Sequence, residues 1–308
     1  MRLPLIEADD LRRLLPMEAA VDALEAAFGS GPLPVAPLRG HIDTGSGTLL
    51  TMPAAGLHGA GVKLVTVTPS NPGLGLPLIQ GVYVLFAPKT QEPEAAIDGA
   101  ALTALRTAAV SGLATRHLAL PGASSLVIFG AGTQARSHLD AMRAVRPVER
   151  VTVVSRTEAR ADELAEAARK MGLETTTGTP EDVADADLVC TCTTSQTPVF
   201  DGVRLPEGAH VNAVGAYTPD TRELDEETVR RGRVVVETRE AALAEAGDLL
   251  IPMRAGVVGA NHIVADLSEV VKGAPVRRGP DDVTVFKSVG VAFEDLVVAR
   301  AAVDRLGL

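Results

Sequence analysis

The chain has 308 residues, of which 46% are hydrophobic and 22% are charged, and this composition predicts a soluble globular protein of about two domains. The formal net charge is −10 and the sequence has no long run of Lys or Arg, so nucleic acids and anionic membranes are not expected to be its main partners. The sequence shows neither a secretory leader nor an unbroken apolar run of about 18 residues, and we therefore expect a cytoplasmic protein.

The cysteines and histidines form no recognisable framework. Cys190 and Cys192 are two residues apart in one predicted strand, where their side chains are poorly placed for a disulfide. None of the six histidines shows the spacing of a metal site, so we predict no metal.

The N-terminal part of the chain combines helices with short strands. Apolar residues recur at helical spacing over residues 17–28. Strand character is found at residues 3–6, 41–43, 48–52, 61–68 and 78–86. Asp98 is placed to cap a long helix that starts at Gly99 and ends near Leu118, before a Pro-Gly pair. These elements predict an α+β domain.

From residue 125 onward, strands alternate with helices. The predicted strands are 125–129, 151–154, 174–177, 187–192, 209–214, 233–236 and 263–265, and the predicted helices include 134–145, 158–171 and 180–185. Apolar strands interleaved with helices indicate a parallel sheet that is covered on both faces. We therefore predict an α/β protein with a Rossmann-type doubly wound sheet at residues 119–289. Residues 1–118 and a final helix within 290–308 are predicted to form a second, discontinuous domain.

The sequence SLVIFGAGTQA at 125–135 contains a dinucleotide-binding pattern, G-x-G-x-x-A. Gly130 allows the tight turn after a strand, Gly132 allows close approach of a pyrophosphate, and Ala135 allows the helix to pack against the strand. The predicted phosphate-binding residues are Gly130, Ala131, Gly132, Thr133 and Gln134. The alternative is a tight strand–helix turn with no ligand.

The end of the next strand bears on the choice of nucleotide. In NAD-binding units an acidic residue usually ends this strand and binds the ribose 2′-hydroxyl. Here the strand is followed by Ser155, Arg156 and Thr157, with Arg160 one turn further on. Guanidinium and hydroxyl groups suit a 2′-phosphate, so we predict NADPH in preference to NADH. The alternative is that Arg156 is solvated and Glu158 serves NAD.

Eight separated motifs together resemble the ornithine cyclodeaminase/μ-crystallin family. They are TMP (51–53), GVKLV (61–65), DGAALTALRTAA (98–109), FGAGTQA (129–135), VVSRT (153–157), AVGAYTPDTREL (213–224), DLSE (266–269) and FKSVGVAFEDL (286–296). The resemblance implies a central NAD(P) domain. It also implies that the N-terminal part and the C-terminal helix form a second domain that binds substrate and forms a homodimer.

The family's substrate carboxylate is held by basic side chains, which by motif position would be Arg39, Lys63 and Arg106. Lys63 falls within an apolar strand and Arg106 within an Ala- and Leu-rich helix, and such residues are rarely buried unless they are paired. An anionic substrate would supply the partner, and the fork of Arg106 suits a carboxylate. The alternatives are pairing with a protein acid such as Asp98, or a charge that reaches solvent.

Two departures from the cyclodeaminase pattern favour a reductase. Tyr217 stands where cyclodeaminases and the related alanine dehydrogenases have a proposed acid/base Asp, and a Tyr hydroxyl with a pKa near ~10 is a poor base at neutral pH. Leu50 lies near where cyclodeaminases use a Glu to engage the distal amine of ornithine. Tyr217 and Asp266 are predicted to contact substrate, although Asp266 could equally be a helix cap.

Further cofactor contacts are expected at the strand ends. Thr191, Cys192 and Thr193 close one strand and should lie along the cofactor. Family analogy places Val214 and Gly215 near the nicotinamide. Ser288, Val289 and Gly290 are predicted to start the last helix and to adjoin the nicotinamide amide.

The resemblance and these departures predict an NADPH-dependent reductase of cyclic imino acids. Its substrates would be ketimines such as Δ1-pyrroline-2-carboxylate or Δ1-piperideine-2-carboxylate, giving L-proline or L-pipecolate, with Lys63 and Arg106 in the catalytic site. One alternative is ornithine cyclodeaminase or alanine dehydrogenase activity. Another is a non-catalytic protein that binds NADPH and a small ligand.

Overall fold

The computed structural model describes residues 3–306. The chain divides into two compact units, one formed by residues up to 109 together with those from 291 onward, and the other by Val110–Gly290. The divisions predicted from the sequence lie after residues 118 and 289 instead. The outermost residues of the predicted first domain, 1–2 and 307–308, lie outside the described residues.

The first unit is built on a six-stranded sheet. Its elements up to the second unit are β1 (Leu5–Ile6), α1 (Ala8–Leu14), α2 (Met17–Gly29), β2 (Gly40–Asp43), β3 (Thr48–Gly56), β4 (Gly59–Val67), β5 (Ile79–Phe86), β6 (Pro93–Asp98) and α3 (Gly99–Leu118), of which α3 continues into the second unit. The strand order is β1-β6-β5-β4-β3-β2, and all neighbours are antiparallel except β1 and β6. Asp98 caps α3 as predicted, because its carboxylate accepts the N–H groups of Ala100 and Ala101 at 2.9 Å.

The second unit is built on an eight-stranded sheet. Its elements are β7 (Ser125–Phe129), α4 (Thr133–Val145), β8 (Arg150–Val154), α5 (Glu158–Lys170), β9 (Glu174–Thr177), β10 (Leu188–Thr191), β11 (His210–Ala213), α6 (Glu226–Arg231), β12 (Arg233–Val236), α7 (Arg239–Glu245), α8 (Gly247–Arg254), β13 (Ile263–Asp266), α9 (Leu267–Val271) and β14 (Thr284–Lys287). The strand order is β13-β12-β14-β11-β10-β7-β8-β9, and all neighbours are parallel. The predicted Rossmann-type sheet is confirmed, and its order reverses between β7 and β10, where such sheets bind ligands.

The chain returns to the first unit as α10 (Ala292–Val303), which packs against α2, β3, β4 and β5. The Phe293 ring lies edge-on to the Phe28 ring, with centroids 5.1 Å apart. α10 is apolar on most sides, as expected of a helix buried in a core, so its acidic residues Glu294 and Asp295 are fully buried too.

Some elements differ from the prediction. The last helix starts at Ala292, so the expectation that residues 288–290 begin it is wrong, and Gly290 instead adopts a left-handed φ of 81°. β6 was missed because it opens with Pro and Glu, which have low strand propensity. β14 was missed because its four residues, TVFK, are too few to show a distinctive periodicity. Within residues 3–306, no helix has the length and apolar character needed to cross a bilayer.

Candidate active site

The predicted glycine turn lies at the switch point of the parallel sheet, directly after β7. Gly130 has a φ of 103°, in the left-handed region that favours glycine, and its N–H donates to the Val154 carbonyl at 2.8 Å. A Cβ at this position would lie 2.5 Å from the carbonyl oxygen of Cys192. The backbone of the turn therefore requires a glycine at residue 130.

The start of α4 fits the phosphates of a dinucleotide. Gly132 is the N-cap of α4, and a Cβ built on it would meet no atom within 4 Å, so the turn is open where a phosphate would approach the helix N-terminus. The buried Oε1 atom of Gln134 has no hydrogen-bond partner in the described part of the chain. Ala131 is buried and Thr133 is exposed in the same turn.

The end of β8, the neighbour of β7, carries the residues predicted to bind a 2′-phosphate. Ser155 is half-buried there, and Arg156, Thr157 and Arg160 are exposed. Glu158, the alternative partner for the ribose of NAD, is the exposed first residue of α5. The side chains for either nucleotide are therefore accessible.

The predicted segments after β10 and β11 lie beside the glycine turn. The Cys192 N–H donates to the Phe129 carbonyl at 2.8 Å, and the Val214 N–H donates to the Thr191 carbonyl at 3.1 Å. Burial raises the pKa of the Cys192 thiol well above its usual range, so Cys192 is a neutral group here.

A buried carboxylate that the sequence analysis missed joins these two segments. Oε1 of Glu223 accepts the N–H and the hydroxyl of Thr193, both at 2.7 Å. Oε2 accepts the Gly215 N–H at 2.7 Å and the Thr191 hydroxyl at 2.8 Å. Burial, followed by the negative charge of Asp248, raises the pKa of Glu223. The four donors nevertheless complement a carboxylate, since a backbone N–H can only donate.

Asp248 and Lys287 hold Glu223 and the loop after β11. Oδ1 of Asp248 accepts the Glu223 backbone N–H at 2.7 Å, and Oδ2 lies 2.9 Å from the Lys287 ammonium. Lys287 also donates to the carbonyl oxygens of Ala213 at 3.2 Å and Ala216 at 2.5 Å. Glu223 and Lys287 lie within the motifs at 213–224 and 286–296, but nothing in the sequence relates them to each other or to Asp248.

A second missed carboxylate holds the segment after β14. Glu237, which follows β12, accepts the Ser288 hydroxyl at 2.6 Å and the Val289 N–H at 2.8 Å. The Gly290 N–H donates to both of its oxygens. Residues 288–290 are thus fixed at the same edge of the sheet, although they are not part of a helix.

Tyr217 and Asp266 are the two residues of this unit that were predicted to contact substrate. Tyr217 is half-buried in the loop after β11. Asp266 caps α9 in a capping box: its carboxylate accepts the Glu269 N–H at 3.0 Å, and the Glu269 side chain accepts the Asp266 N–H at 2.8 Å. Its strand, β13, is at the edge of the sheet. Asp266 therefore has the capping role that was its alternative, and its contact with substrate stays a prediction.

In the first unit, Lys63 and Arg106 meet two acids of α10. Lys63 extends from β4, and its ammonium lies 2.9 Å from both carboxylate oxygens of Asp295. Arg106 extends from α3, and its guanidinium reaches Asp295 at 3.1 Å and Glu294 at 3.0 Å. All four side chains are at most 5% exposed. We call them the ion cluster. The alternative of a protein partner is thus correct, but the partners are these two acids and not Asp98.

The surroundings of Lys63 lower the pKa of its ammonium group. Burial, followed by the positive charge of Arg106, lowers the pKa of Lys63 to about 8, although Asp295 opposes the shift. The positive charge of Arg39, half-buried just before β2, also lowers this pKa. The structure therefore brings Lys63 and Arg106 together, and the contact of Arg39 with substrate stays a prediction.

Apolar and aromatic side chains surround the ion cluster. Lys63 faces Met52 on β3 and Tyr83 on β5 in register, and Leu50 projects from the same face of β3 as Met52 and is 5% exposed. The buried Tyr83 hydroxyl has no hydrogen-bond partner among residues 3–306. A Cβ on Gly61 would lie 2.0 Å from that hydroxyl, so only glycine fits beneath the ring.

Among residues 3–306, no three or more His, Cys, Asp or Glu side chains are grouped as a metal site would require.

Comparison with known proteins identifies the family. The model of the ornithine cyclodeaminase/mu-crystallin family matches residues 5–307. The chain belongs to this family. It is 39% identical over 306 residues to the Delta(1)-pyrroline-2-carboxylate reductase of Bacillus thuringiensis subsp. konkukian, covering 96% of this chain and 94% of the relative. The predicted resemblance is confirmed.

Two solved structures of relatives match nearly the whole chain. One is the Thermococcus litoralis Delta(1)-pyrroline-2-carboxylate reductase in complex with NADH and L-proline, with 37% identity and a TM-score of 0.92 over 98% of this chain and 97% of that one. The other is an archaeal alanine dehydrogenase dimer with bound NAD, with 30% identity and a TM-score of 0.93 over 99% of this chain and 96% of that one.

Proposed function

We propose that the protein is a nicotinamide-dependent reductase of cyclic imino acids. It would convert Δ1-pyrroline-2-carboxylate to L-proline, Δ1-piperideine-2-carboxylate to L-pipecolate, or both. The observation that carries the proposal is the buried cluster of Lys63 and Arg106 with Glu294 and Asp295. It occurs in a chain that resembles pyrroline-2-carboxylate reductases over almost its full length.

The cluster offers cationic groups to a substrate carboxylate. Lys63 and Arg106 are its two buried cations, and both are paired with carboxylates of α10. Buried charges are tolerated when they are paired in this way, so the two acids keep the cations charged and in place before substrate binds.

Apolar surroundings favour a substrate that has no distal cation. The buried Leu50, on the sheet face that carries Lys63, could not satisfy the second amine of ornithine, because a buried ammonium needs a polar partner. Tyr217 offers a hydroxyl where a cyclodeaminase would need a base that is ionised near neutral pH. Both residues therefore favour reduction over cyclodeamination.

The chain's own residues would bind, orient and hydrogen-bond the imine. Reduced nicotinamide supplies a hydride that adds to the imine carbon, while the C=N π electrons move to the nitrogen. Lys63 and Arg106 hold the carboxylate and fix the position of the adjacent imine carbon. The Lys63 ammonium, with its lowered pKa, can also donate a hydrogen bond to the lone pair of the unprotonated imine nitrogen and transfer its proton there, which leaves a neutral lysine and the amine product.

NADPH is the proposed nucleotide, because Arg156 and Arg160 follow β8 where a 2′-phosphate would lie. Arg156→Ala should weaken NADPH binding roughly tenfold and leave NADH binding nearly unchanged. Arg204→Ala, at an exposed arginine of the same unit, serves as the control. Equal losses for NADPH and NADH would remove Arg156 from the phosphate site.

A homodimer and a cytoplasmic location are also proposed. The sheet face of the first unit that points away from Lys63 carries accessible apolar residues, among them Leu64, which is 38% exposed. A related archaeal protein is described as a dimer. Leu64→Glu should shift the protein to a monomer in light scattering if this face pairs with a second copy, and an unchanged mass would place the contact elsewhere.

The activity is tested with purified protein by following oxidation of NADPH and NADH. The substrates are the five- and six-membered cyclic imino acids, pyruvate with ammonia and pyruvate with methylamine, with an assay without imine as the control. Turnover of the cyclic imines with a higher kcat/KM than for pyruvate with ammonia supports the proposal. Ornithine is tested in a separate assay of ammonia release. Ammonia release from ornithine, or a preference for pyruvate with ammonia, would support the alternative enzymes. Tight NADPH binding without any turnover would support a binding protein.

A further inference from the structure

Glu223 is fully buried in the second unit, and the four hydrogen bonds of its carboxylate go to Thr191 at the end of β10 and to the segments after β10 and β11. Each carboxylate oxygen accepts one backbone N–H and one hydroxyl. Thr191 and Thr193 provide the hydroxyls, and Thr193 and Gly215 provide the N–H groups. A single side chain thus sets the spacing between two neighbouring strand ends.

The contact between these segments leaves no free space. A Cβ on Gly215 would lie 2.2 Å from the Thr193 carbonyl oxygen and 2.5 Å from Oε1 of Glu223. The loop after β11 is held from its other side by Lys287, which donates to the carbonyl oxygens of Ala213 and Ala216. Asp248 links the two sides, because it binds both Lys287 and the Glu223 backbone. Charged side chains therefore hold both the Gly215 N–H and the carbonyl groups of Ala213 and Ala216.

We propose that Glu223 is a positioning residue for the nicotinamide half of the cofactor: it holds residues 191–193 and 214–215 in the arrangement that receives the ring. This inference rests on the proposed use of a nicotinamide dinucleotide. Glu223 does not itself touch the cofactor. It acts through the main chain of the two segments, whereas the glycine turn at Gly130 and Gly132 receives the phosphates.

Glu223→Gln is an informative change because it keeps the size and removes half of the acceptors. Whichever way the amide is oriented, its NH2 group faces a backbone N–H, that of Thr193 or that of Gly215. Two donors cannot bond to each other, so one segment must move. Glu207→Gln, at an exposed glutamate of the same unit, is the matched control.

The experiment compares a whole dinucleotide with its adenosine fragment by calorimetric titration. The pairs are NADPH with 2′,5′-ADP, or NADH with ADP if the wild type prefers NADH. Glu223→Gln should weaken the dinucleotide roughly tenfold or more and leave the fragment within about twofold. In the steady state, kcat should fall while KM for the imine stays near the wild-type value.

Other outcomes contradict the proposal. Equal weakening of dinucleotide and fragment, together with a lower Tm, would mean that Glu223 only supports the fold. Unchanged dinucleotide binding and unchanged kcat would mean that the segments need no such support. If Glu223→Gln fails to fold, Thr191→Val removes one hydroxyl from the same carboxylate and should give a smaller selective loss in the same assay. An equal loss for both ligands there would overturn the proposal.

Failure of the proposed reaction would look different. A wild type that binds the dinucleotide but reduces no imine would refute the reductase assignment, while the comparison of dinucleotide with fragment would still decide the role of Glu223. A wild type that binds neither ligand would refute both.

Discussion

Two groups of buried charges, one in each unit, have different partners. In the first unit, Lys63 and Arg106 pair with other charged side chains, Glu294 and Asp295. In the second, the carboxylates of Glu223 and Glu237 bind mainly backbone N–H and hydroxyl groups. Cations that are paired with carboxylate side chains can also bind a new anion, whereas a carboxylate that binds backbone N–H groups fixes the shape of a loop. The first arrangement suits binding of a charged substrate, and the second suits a preformed surface for a cofactor.

The largest expected effect separates substrate binding from cofactor binding. Arg106→Ala should raise KM for the imine on the order of 100-fold or more, because a guanidinium partner of the carboxylate is lost. Dinucleotide affinity, measured by titration, should stay near the wild-type value. Arg12→Ala, at an exposed arginine of the first unit, should change neither. An unchanged KM with lost dinucleotide affinity would reverse the roles assigned to the two units.

Asp295→Asn should test whether the ion cluster carries stability as well as function. The change leaves Lys63 and Arg106 with one fewer negative charge, which should cost about 3 kcal/mol of unfolding free energy. Asp304→Asn is the control, since Asp304 is 62% exposed and its pair with Arg300 should contribute less than about 1 kcal/mol. Denaturant unfolding measures both variants, and equal losses would contradict the distinction.

Gly132→Ala should affect ligand binding without affecting the fold. Its Cβ meets no protein atom, so the free energy of unfolding should be unchanged or higher by roughly 0.4–1 kcal/mol. Dinucleotide affinity should nevertheless fall about tenfold, because the methyl group occupies the approach of the phosphates. Gly122→Ala, where the Cβ is also in open space, is the control, and equal dinucleotide binding by the two variants would refute the phosphate site.

The pH dependence should follow Lys63. A lysine is charged below its pKa and neutral above it, so carboxylate binding should weaken as pH rises through about 8. The kcat/KM for the imine should then fall, while dinucleotide affinity should not fall with it. Because Asp295 raises the pKa of Lys63, Asp295→Asn should move the fall to lower pH. A profile that stays flat above pH 8 would remove Lys63 from carboxylate binding.

The smallest effect is expected at Tyr83. Its buried hydroxyl has no hydrogen-bond partner within the described chain, so Tyr83→Phe should leave stability unchanged or raise it by up to about 1 kcal/mol. A loss of more than about 1 kcal/mol in denaturant unfolding would show that the hydroxyl is bonded in solution. Activity should be unchanged, since no role in the reaction is assigned to this hydroxyl.

Features that depend on residues close together in the sequence could be predicted. The Rossmann-type sheet and its glycine turn follow from a contiguous strand–turn–helix pattern. The buried cations were found because Lys63 and Arg106 interrupt apolar segments. Their partners were not found, since Asp295 lies 232 residues after Lys63 and 189 after Arg106. Two acids at the start of the otherwise apolar helix α10 were the available signal.

The contacts of Glu223 were even harder to predict from the sequence. Two of the four hydrogen bonds of its carboxylate come from backbone N–H groups of other loops, and any loop sequence has such groups. Only the three-dimensional arrangement of β10, β11 and β14 brings Glu223, Asp248 and Lys287 together. The later start of α10 was missed for a similar reason, because Glu237 accepts the N–H groups of Val289 and Gly290 before the helix begins at Ala292.

The most direct test of the central claim is the fate of the hydride. Reduced cofactor carrying deuterium at the transferable C4 position is incubated with Δ1-pyrroline-2-carboxylate and the enzyme, and the product is analysed by mass spectrometry and NMR. Direct reduction of an imine held by its carboxylate predicts L-proline with one deuterium on the α-carbon. Consumption of the cofactor without deuterated proline, or no consumption at all, would contradict the account.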